Sequence, residues 1–120
     1  MKTAVAAVAL VLSVVAVAVA NAASSPGVRV RISNEMTRFY IEGYIWFARL
    51  DHAKATRVTG KSIVLRATRG RHVLHVFLRP CDGNCSLLDP PEKRCAAVVH
   101  RGQTATYHVR DQGCAITVRG

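Results

Sequence analysis

From residue 28 onward, apolar and polar residues alternate through most of the chain, and this period of two restricts the fold more than any other feature. Successive side chains of a β-strand point to opposite faces, so the alternation predicts strands with one buried face. After the first 27 residues, no segment has the 3.6-residue periodicity of an amphipathic helix. The clearest alternating runs are residues 28–32, 72–78, 104–109 and 114–118. The sequence therefore predicts an all-β domain.

Turn signals set the number and arrangement of these strands. Glycine-containing turns recur at short intervals, at residues 69–71, 101–103 and 112–113. Further strands are expected at residues 39–47, 63–65 and 95–99, which brings the total to about seven. Short strands at regular spacing are typical of two packed antiparallel sheets or a small barrel. We expect the sandwich, with an immunoglobulin-like or transthyretin-like arrangement.

The first residues are typical of an export signal. Lys2 precedes a run of Ala, Val and Leu at residues 4–20, interrupted only by Ser13, and small residues follow. This pattern predicts a signal peptide at residues 1–22, a linker at residues 23–27 and one domain at residues 28–120. The alternative is that residues 4–20 stay as a membrane anchor, although the run is short for that role. We expect a protein secreted through a cleaved signal.

Four cysteines remain in this domain, at positions 81, 85, 95 and 114. An even number in an exported chain predicts two disulfides, which a domain of this size needs for stability. Their spacings lack the paired C-x2-C of zinc sites, and the acids near them lack the rhythm of a calcium loop, so we expect no metal and no cofactor. All four sulfurs are expected at one end of the sandwich. Of three connectivities, Cys85–Cys95 with Cys81–Cys114 is slightly favoured over Cys81–Cys95 with Cys85–Cys114.

The cysteine segment also carries a family resemblance. The stretches RPCDGNCSLLDPPEKRC and RGQTATYHVRDQGCAITV resemble a family of small exported actinomycete proteins, many of them lipoproteins, across about residues 66–118. The shared pattern is RPCDxNC–LDPPxxxC, followed by a C-terminal Gly-Cys strand. The resemblance implies an exported, disulfide-bonded sandwich and nothing catalytic. This chain lacks the lipidation cysteine of the lipoprotein members.

The charge of the domain indicates the kind of partner. Without Lys2, sixteen Lys and Arg stand against seven Asp and Glu, a net charge of +9. This charge favours an anionic envelope component, or an exported protein, as the partner. The basic residues show no nucleic-acid-binding motif, and a membrane contact is expected only if the signal is uncleaved. No nucleophile motif or paired carboxylates occur, so we expect no catalytic residues and no enzyme. A monomeric binding or structural domain is the main expectation.

Two sets of residues are candidate binding sites. Tyr40, Tyr44 and Trp46 are expected on the outer face of one strand, where aromatic side chains form a recognition platform; the alternative is that both faces of this strand are buried. A proteinase inhibitor is the alternative function, in which the braced 81–95 loop presents Lys93 or Arg94 to the enzyme. A small hydrolase and a cationic toxin are the remaining alternatives.

Overall fold

The computed structural model describes residues 26–37, 43–81 and 85–120. Within these ranges the chain forms strands and no helix, in two sheets of four strands each. The strands are β1 Gly27–Asn34, β2 Gly43–Leu50, β3 Thr56–Arg57, β4 Ser62–Arg66, β5 Arg71–Cys81, β6 Glu92–His100, β7 Thr104–Arg110 and β8 Gly113–Arg119. The predicted two-sheet sandwich is confirmed, with eight strands in place of about seven. The added strand is the two-residue β3, and β1 begins at the last residue of the predicted linker.

The chain passes between the two sheets several times, while β2 with β3, β5 with β6 and β7 with β8 pair within one sheet. Sheet A has the order β4-β1-β7-β8, and sheet B has the order β3-β2-β5-β6. All pairings are antiparallel except β1 with β7, which run parallel with Val30 opposite Ala105 and Ile32 opposite Tyr107. The first strand of the domain therefore lies inside a sheet, beside a strand that comes more than seventy residues later.

The core lies between the two sheets and is built from the alternating positions. The predicted inner faces of residues 74–78 and 105–109 are confirmed, because both sets are buried. Tyr107 is the largest fully buried side chain. Its hydroxyl crosses to the other sheet and donates a hydrogen bond to the carbonyl of Lys93, at 2.6 Å. The buried cluster comprises Val28, Val30, Ala48, Leu50, Val58, Leu74, Val76, Leu78, Val99, Ala105, Tyr107 and Val109.

Two disulfides are present, but both favoured connectivities are wrong. The bridges are Cys81–Cys85, with Cα atoms 4.5 Å apart, and Cys95–Cys114, with Cα atoms 6.1 Å apart. The register of β5 and β6 places Cys95 opposite Val76, five residues before Cys81. At about 3.3 Å per strand residue, this offset puts Cys81 and Cys95 roughly 17 Å apart along the strands. The four sulfurs therefore do not meet at one end.

The Cys95–Cys114 bridge joins the two sheets at one edge of the sandwich. Cys95 is in β6 and Cys114 in β8, and each of these strands is the last of its sheet. The Cys81–Cys85 bridge instead links the last residue of β5 to a cysteine four positions later. Two disulfides indicate an oxidising compartment.

Among the residues described, no three His, Cys, Asp or Glu side chains are grouped so that they could hold a metal ion. The same residues form no helix that is long and apolar enough to cross a membrane.

Candidate functional site

The predicted aromatic platform does not form from the two aromatic residues that the structure describes. Tyr44 and Trp46 lie on the inner side of β2 and pack against the core, together with the buried Ala48. The Trp46 ring meets the Tyr107 ring edge-on, with centroids 6.3 Å apart. The side of β2 that faces the core thus carries Tyr44 and Trp46, which were predicted to face outward, while Ile45 on the other side is also buried. Tyr40, the third member of the platform, lies outside the described residues.

The predicted inhibitor residues belong to a strand and not to the loop. Lys93 and Arg94 are in β6, after the loop ends. The Lys93 ammonium donates a hydrogen bond to the carbonyl of Asp111, at 2.6 Å, and the Lys93 carbonyl accepts the Tyr107 hydroxyl. Lys93 is thus held against the β7–β8 turn, and only Arg94 is exposed. Of the two predicted recognition side chains, Lys93 is therefore engaged within the domain, and Arg94 extends from a strand and not from a braced loop.

The outward face of sheet A carries a groove of about 500 Å³. We call it the threonine–arginine groove, after its lining residues Arg31, Ile32, Ser33, Thr104, Thr106, His108, Thr117 and Arg119. These residues come from β1, β7 and β8, the three adjacent strands of the sheet. Apart from Ile32, whose side chain packs against the core, they share the outward face because residues two apart on each strand point the same way. Besides Ile32 and His108, the lining side chains are hydroxyls and guanidinium groups, with no carboxylate among them.

Cross-strand rows set the spacing of these groups. One row places Arg29, Thr104 and Arg119 side by side, and the next places Arg31, Thr106 and Thr117. Strands are about 4.8 Å apart and rows about 6.7 Å apart. The two arginines that line the groove, Arg31 and Arg119, are two strands and one row apart, so their backbones are separated by roughly 12 Å, with threonines between them. The groove thus carries two guanidinium groups with threonine hydroxyls between them.

A chain of hydrogen bonds fixes one end of the groove. His108 Nδ1 bonds the Glu35 carboxylate, and His108 Nε2 lies 3.0 Å from the Thr117 hydroxyl. Glu35 also accepts hydrogen bonds from Ser33 Oγ, at 2.9 Å, and Arg110 Nε, at 3.2 Å. These donors, His108 foremost, hold the pKa of Glu35 at about 2. The carboxylate stays ionised at neutral pH and holds the imidazole in place.

Two other carboxylates of the described chain, those of Asp51 and Asp111, are engaged next to strand ends. Asp51 follows β2 and accepts hydrogen bonds from the Val73 amide, at 2.9 Å, and from His72 Nδ1, at 2.7 Å. The hydrogen bond to His72 lowers the pKa of Asp51, and the same bond raises the pKa of His72. Asp111, in the β7–β8 turn, accepts the Thr37 amide at 3.0 Å. These acids stabilise turns and leave the arginines of the groove without a carboxylate in its lining.

Sequence reasoning did not find the threonine–arginine groove. Its residues are the polar positions of three alternating strands, and each strand alone resembles an ordinary solvent-exposed face. The concentration of hydroxyl and arginine side chains appears only when β1 is placed beside β7. That parallel pairing has no local sequence signal, because the two strands are far apart in the chain.

Comparison with known proteins does not assign this surface. No protein-family model, no curated protein and no solved structure matches the chain.

Proposed function

We propose that this protein is a secreted, non-catalytic binding domain of the cell envelope or extracellular space, and that the threonine–arginine groove binds an anionic glycan. The signal-like residues 1–22 and the two disulfides support export. The observation that carries the proposal is the composition of the groove lining, which combines guanidinium and hydroxyl groups without a carboxylate, since Glu35 at one end is taken up by His108, Ser33 and Arg110. Guanidinium groups pair with carboxylate or phosphate, and hydroxyls exchange hydrogen bonds with sugar hydroxyls.

The shape of the groove favours an extended polymer over a compact ligand. Arg31 and Arg119 lie on the two outer strands of the three, separated by the hydroxyls of the central strand β7. An extended polymer that carries negative charges at intervals contacts Arg31 and Arg119 at the same time. Within the described part of the chain, neither of these two side chains forms an ion pair, so each is open to a ligand anion.

Other anionic partners fit the groove less well. Nucleic-acid binding uses aromatic side chains on which bases stack, and the lining of the groove contains none. Interfacial membrane binding uses large apolar side chains that enter the acyl boundary, and Ile32 is the one large apolar residue in the lining. A polyhydroxylated anion uses both the threonines and the arginines.

The test is a binding measurement by calorimetry with polygalacturonate as the acidic glycan and dextran as the neutral control. We expect binding of polygalacturonate only. The double variant Arg31→Ala/Arg119→Ala should lose about tenfold or more in affinity, equivalent to about 1.4 kcal/mol. The matched control Arg69→Ala/Arg101→Ala removes the same charge from two exposed turns. Equal losses in both double variants would show that binding follows net charge and would refute a specific groove.

The hydrogen bonds from Glu35 to His108 and from His108 to Thr117 favour a second candidate function, the hydrolysis of acyl esters. With the proton on Nδ1 shared with Glu35, His108 Nε2 accepts the Thr117 hydroxyl proton, in the order used by hydroxyl nucleophiles. Attack on an ester would form an acyl-threonine and release the alcohol, and water would then release the acid. Hydrolysis of p-nitrophenyl acetate tests this candidate. If the hydrolysis rate is unchanged in Thr117→Val and in His108→Ala, the hydrogen bonds among Glu35, His108 and Thr117 have a structural role only.

A further inference from the structure

The outward face of sheet B carries a second recess, separate from the threonine–arginine groove. Phe47 and Phe77 stack there, with ring centroids 5.6 Å apart and planes 18° from parallel. Beside them lies a pocket of about 350 Å³. We call it the sheet B pocket, and its lining residues are Arg49, His75, Val76, Phe77, Pro91, Arg94, Cys95 and Ala96. A volume of this size suits a small molecule.

A β-bulge shapes one wall of the pocket. The register between β5 and β6 shifts between Val76 and Leu78, so that two residues of β6, Lys93 and Arg94, lie opposite Phe77. Lys93 has a φ of +50°, a left-handed conformation that a non-glycine residue adopts at a cost. Bulges bend a strand and redirect the side chains beside them. Here the bulge places Arg94 on the wall of the pocket.

Contacts from the other sheet hold this strained bulge in place. The Tyr107 hydroxyl binds the Lys93 carbonyl at 2.6 Å, and the Lys93 ammonium binds the Asp111 carbonyl at 2.6 Å. One residue after Arg94, the Cys95–Cys114 bridge ties β6 to β8. Backbone strain persists where the surrounding structure fixes it, and such positions cluster at binding sites. The wall that carries Arg94 is therefore fixed before any ligand arrives.

The charges of the pocket favour an anion. Arg49 and Arg94 line it together with His75, and no carboxylate is among its lining residues. Burial, followed by the nearby Arg49 and His52, lowers the pKa of His75, so its imidazole is neutral at pH 7. One Arg49 nitrogen donates to the Asp51 carbonyl, which orients that guanidinium. Two guanidinium groups thus face the pocket, and the apolar part of its lining includes Phe77, Pro91 and Ala96.

We propose that the sheet B pocket binds a small aromatic carboxylic acid, with its carboxylate between Arg49 and Arg94 and its ring against Phe77. Guanidinium and carboxylate form strong charge-assisted hydrogen bonds, and aromatic rings pack favourably edge-on or offset. The fixed bulge limits the entropy lost on binding. This site is independent of the proposed glycan function, because it lies on the other sheet and uses different residues.

The experiment is calorimetric titration of the mature protein with 1-naphthoate, with the neutral 1-naphthamide and with acetate. We expect 1-naphthoate to bind at least about tenfold more tightly than either comparison ligand, since each lacks one half of the recognition. Arg94→Ala should lower the affinity for 1-naphthoate about tenfold. Arg71→Ala is the matched control. Arg71 is an exposed arginine in β5 on the outward face of sheet B, and it does not line the pocket.

Two further variants separate this proposal from a structural effect. Tyr107→Phe removes the hydroxyl that holds the bulge, and Tyr107 acts here as a positioning residue, so 1-naphthoate affinity should fall while far-UV circular dichroism stays native. The double variant Arg31→Ala/Arg119→Ala should bind 1-naphthoate with wild-type affinity, even when its affinity for polygalacturonate is lost. Equal binding of 1-naphthamide, or an equal loss in Arg71→Ala, would overturn the proposal.

Discussion

The two disulfides differ in the length of chain that they close, and this difference predicts unequal contributions to stability. Their sequence separations of 4 and 19 correspond to closed loops of 5 and 20 residues. The chain-entropy relation then gives about 2 kcal/mol for Cys81–Cys85 and about 3 kcal/mol for Cys95–Cys114. For a small domain, whose net stability is about 5–15 kcal/mol, both are large and the second is larger.

The assay isolates each bridge in a variant that keeps only that bridge. Cys81→Ala/Cys85→Ala retains Cys95–Cys114, and Cys95→Ala/Cys114→Ala retains Cys81–Cys85. Each variant is unfolded in urea, oxidised and then reduced, with Trp46 fluorescence as the signal. Packing changes from the alanines cancel, because they are present in both redox states. Reduction should cost about 1 kcal/mol more in the variant that retains Cys95–Cys114. An equal or reversed order would refute the argument from loop length.

Three further expectations follow from single contacts. Gly27→Ala places a Cβ 2.5 Å from the carbonyl oxygen of Leu65, so unfolding in urea should show a loss of about 1–3 kcal/mol, whereas Gly120→Ala, with open space around it, should not change stability. Tyr107→Phe removes the hydrogen bond to the β6 bulge and should cost about 1–2 kcal/mol by the same assay; an unchanged midpoint would contradict a role for that bond. The raised pKa of His72 means that its contribution is complete below its ordinary 6.5 and is lost as pH rises through the folded value. The lowered pKa of Asp51 means that its contribution is complete above its ordinary 3.8 and is lost as pH falls through the folded value. The stability difference between wild type and Asp51→Asn should therefore be largest between about pH 4 and 6.5 and shrink on both sides; a difference that is constant across pH would show that the pair does not act through charge.

Local alternation was sufficient to predict most of the core. Val28, Val30 and Ile32 are separated by single arginines, so a period of two assigns their face without knowledge of the fold. Strand β2 shows the limit of this reasoning. Its Ile45 and Phe47 alternate with Tyr44 and Trp46, and both sets are apolar. The pattern therefore cannot decide which face is inward, and only packing against the opposite sheet makes Trp46 internal.

The disulfide pairing and both proposed sites depend on information that is not local. Cys95 and Cys114 meet because β6 and β8 are edge strands of different sheets, and a sequence without strand order does not specify that edge. The sheet B pocket depends on a bulge at Lys93, a residue that carries no glycine signal for a positive φ. Composition correctly indicated a basic surface. The positions of its cations became clear only from strand register.

The parallel pairing of β1 with β7 determines when this domain can fold. β1 is the first of the described strands to be synthesised, yet it lies between β4 and β7. Until residues 104–110 exist, one side of β1 has no partner, and Val28 and Val30 have no Ala105 or Tyr107 to pack with. Folds whose essential contacts join distant segments fold slowly, because a long loop must close first. The chain is thus expected to remain open while it is being made, a property that is compatible with the export proposed above.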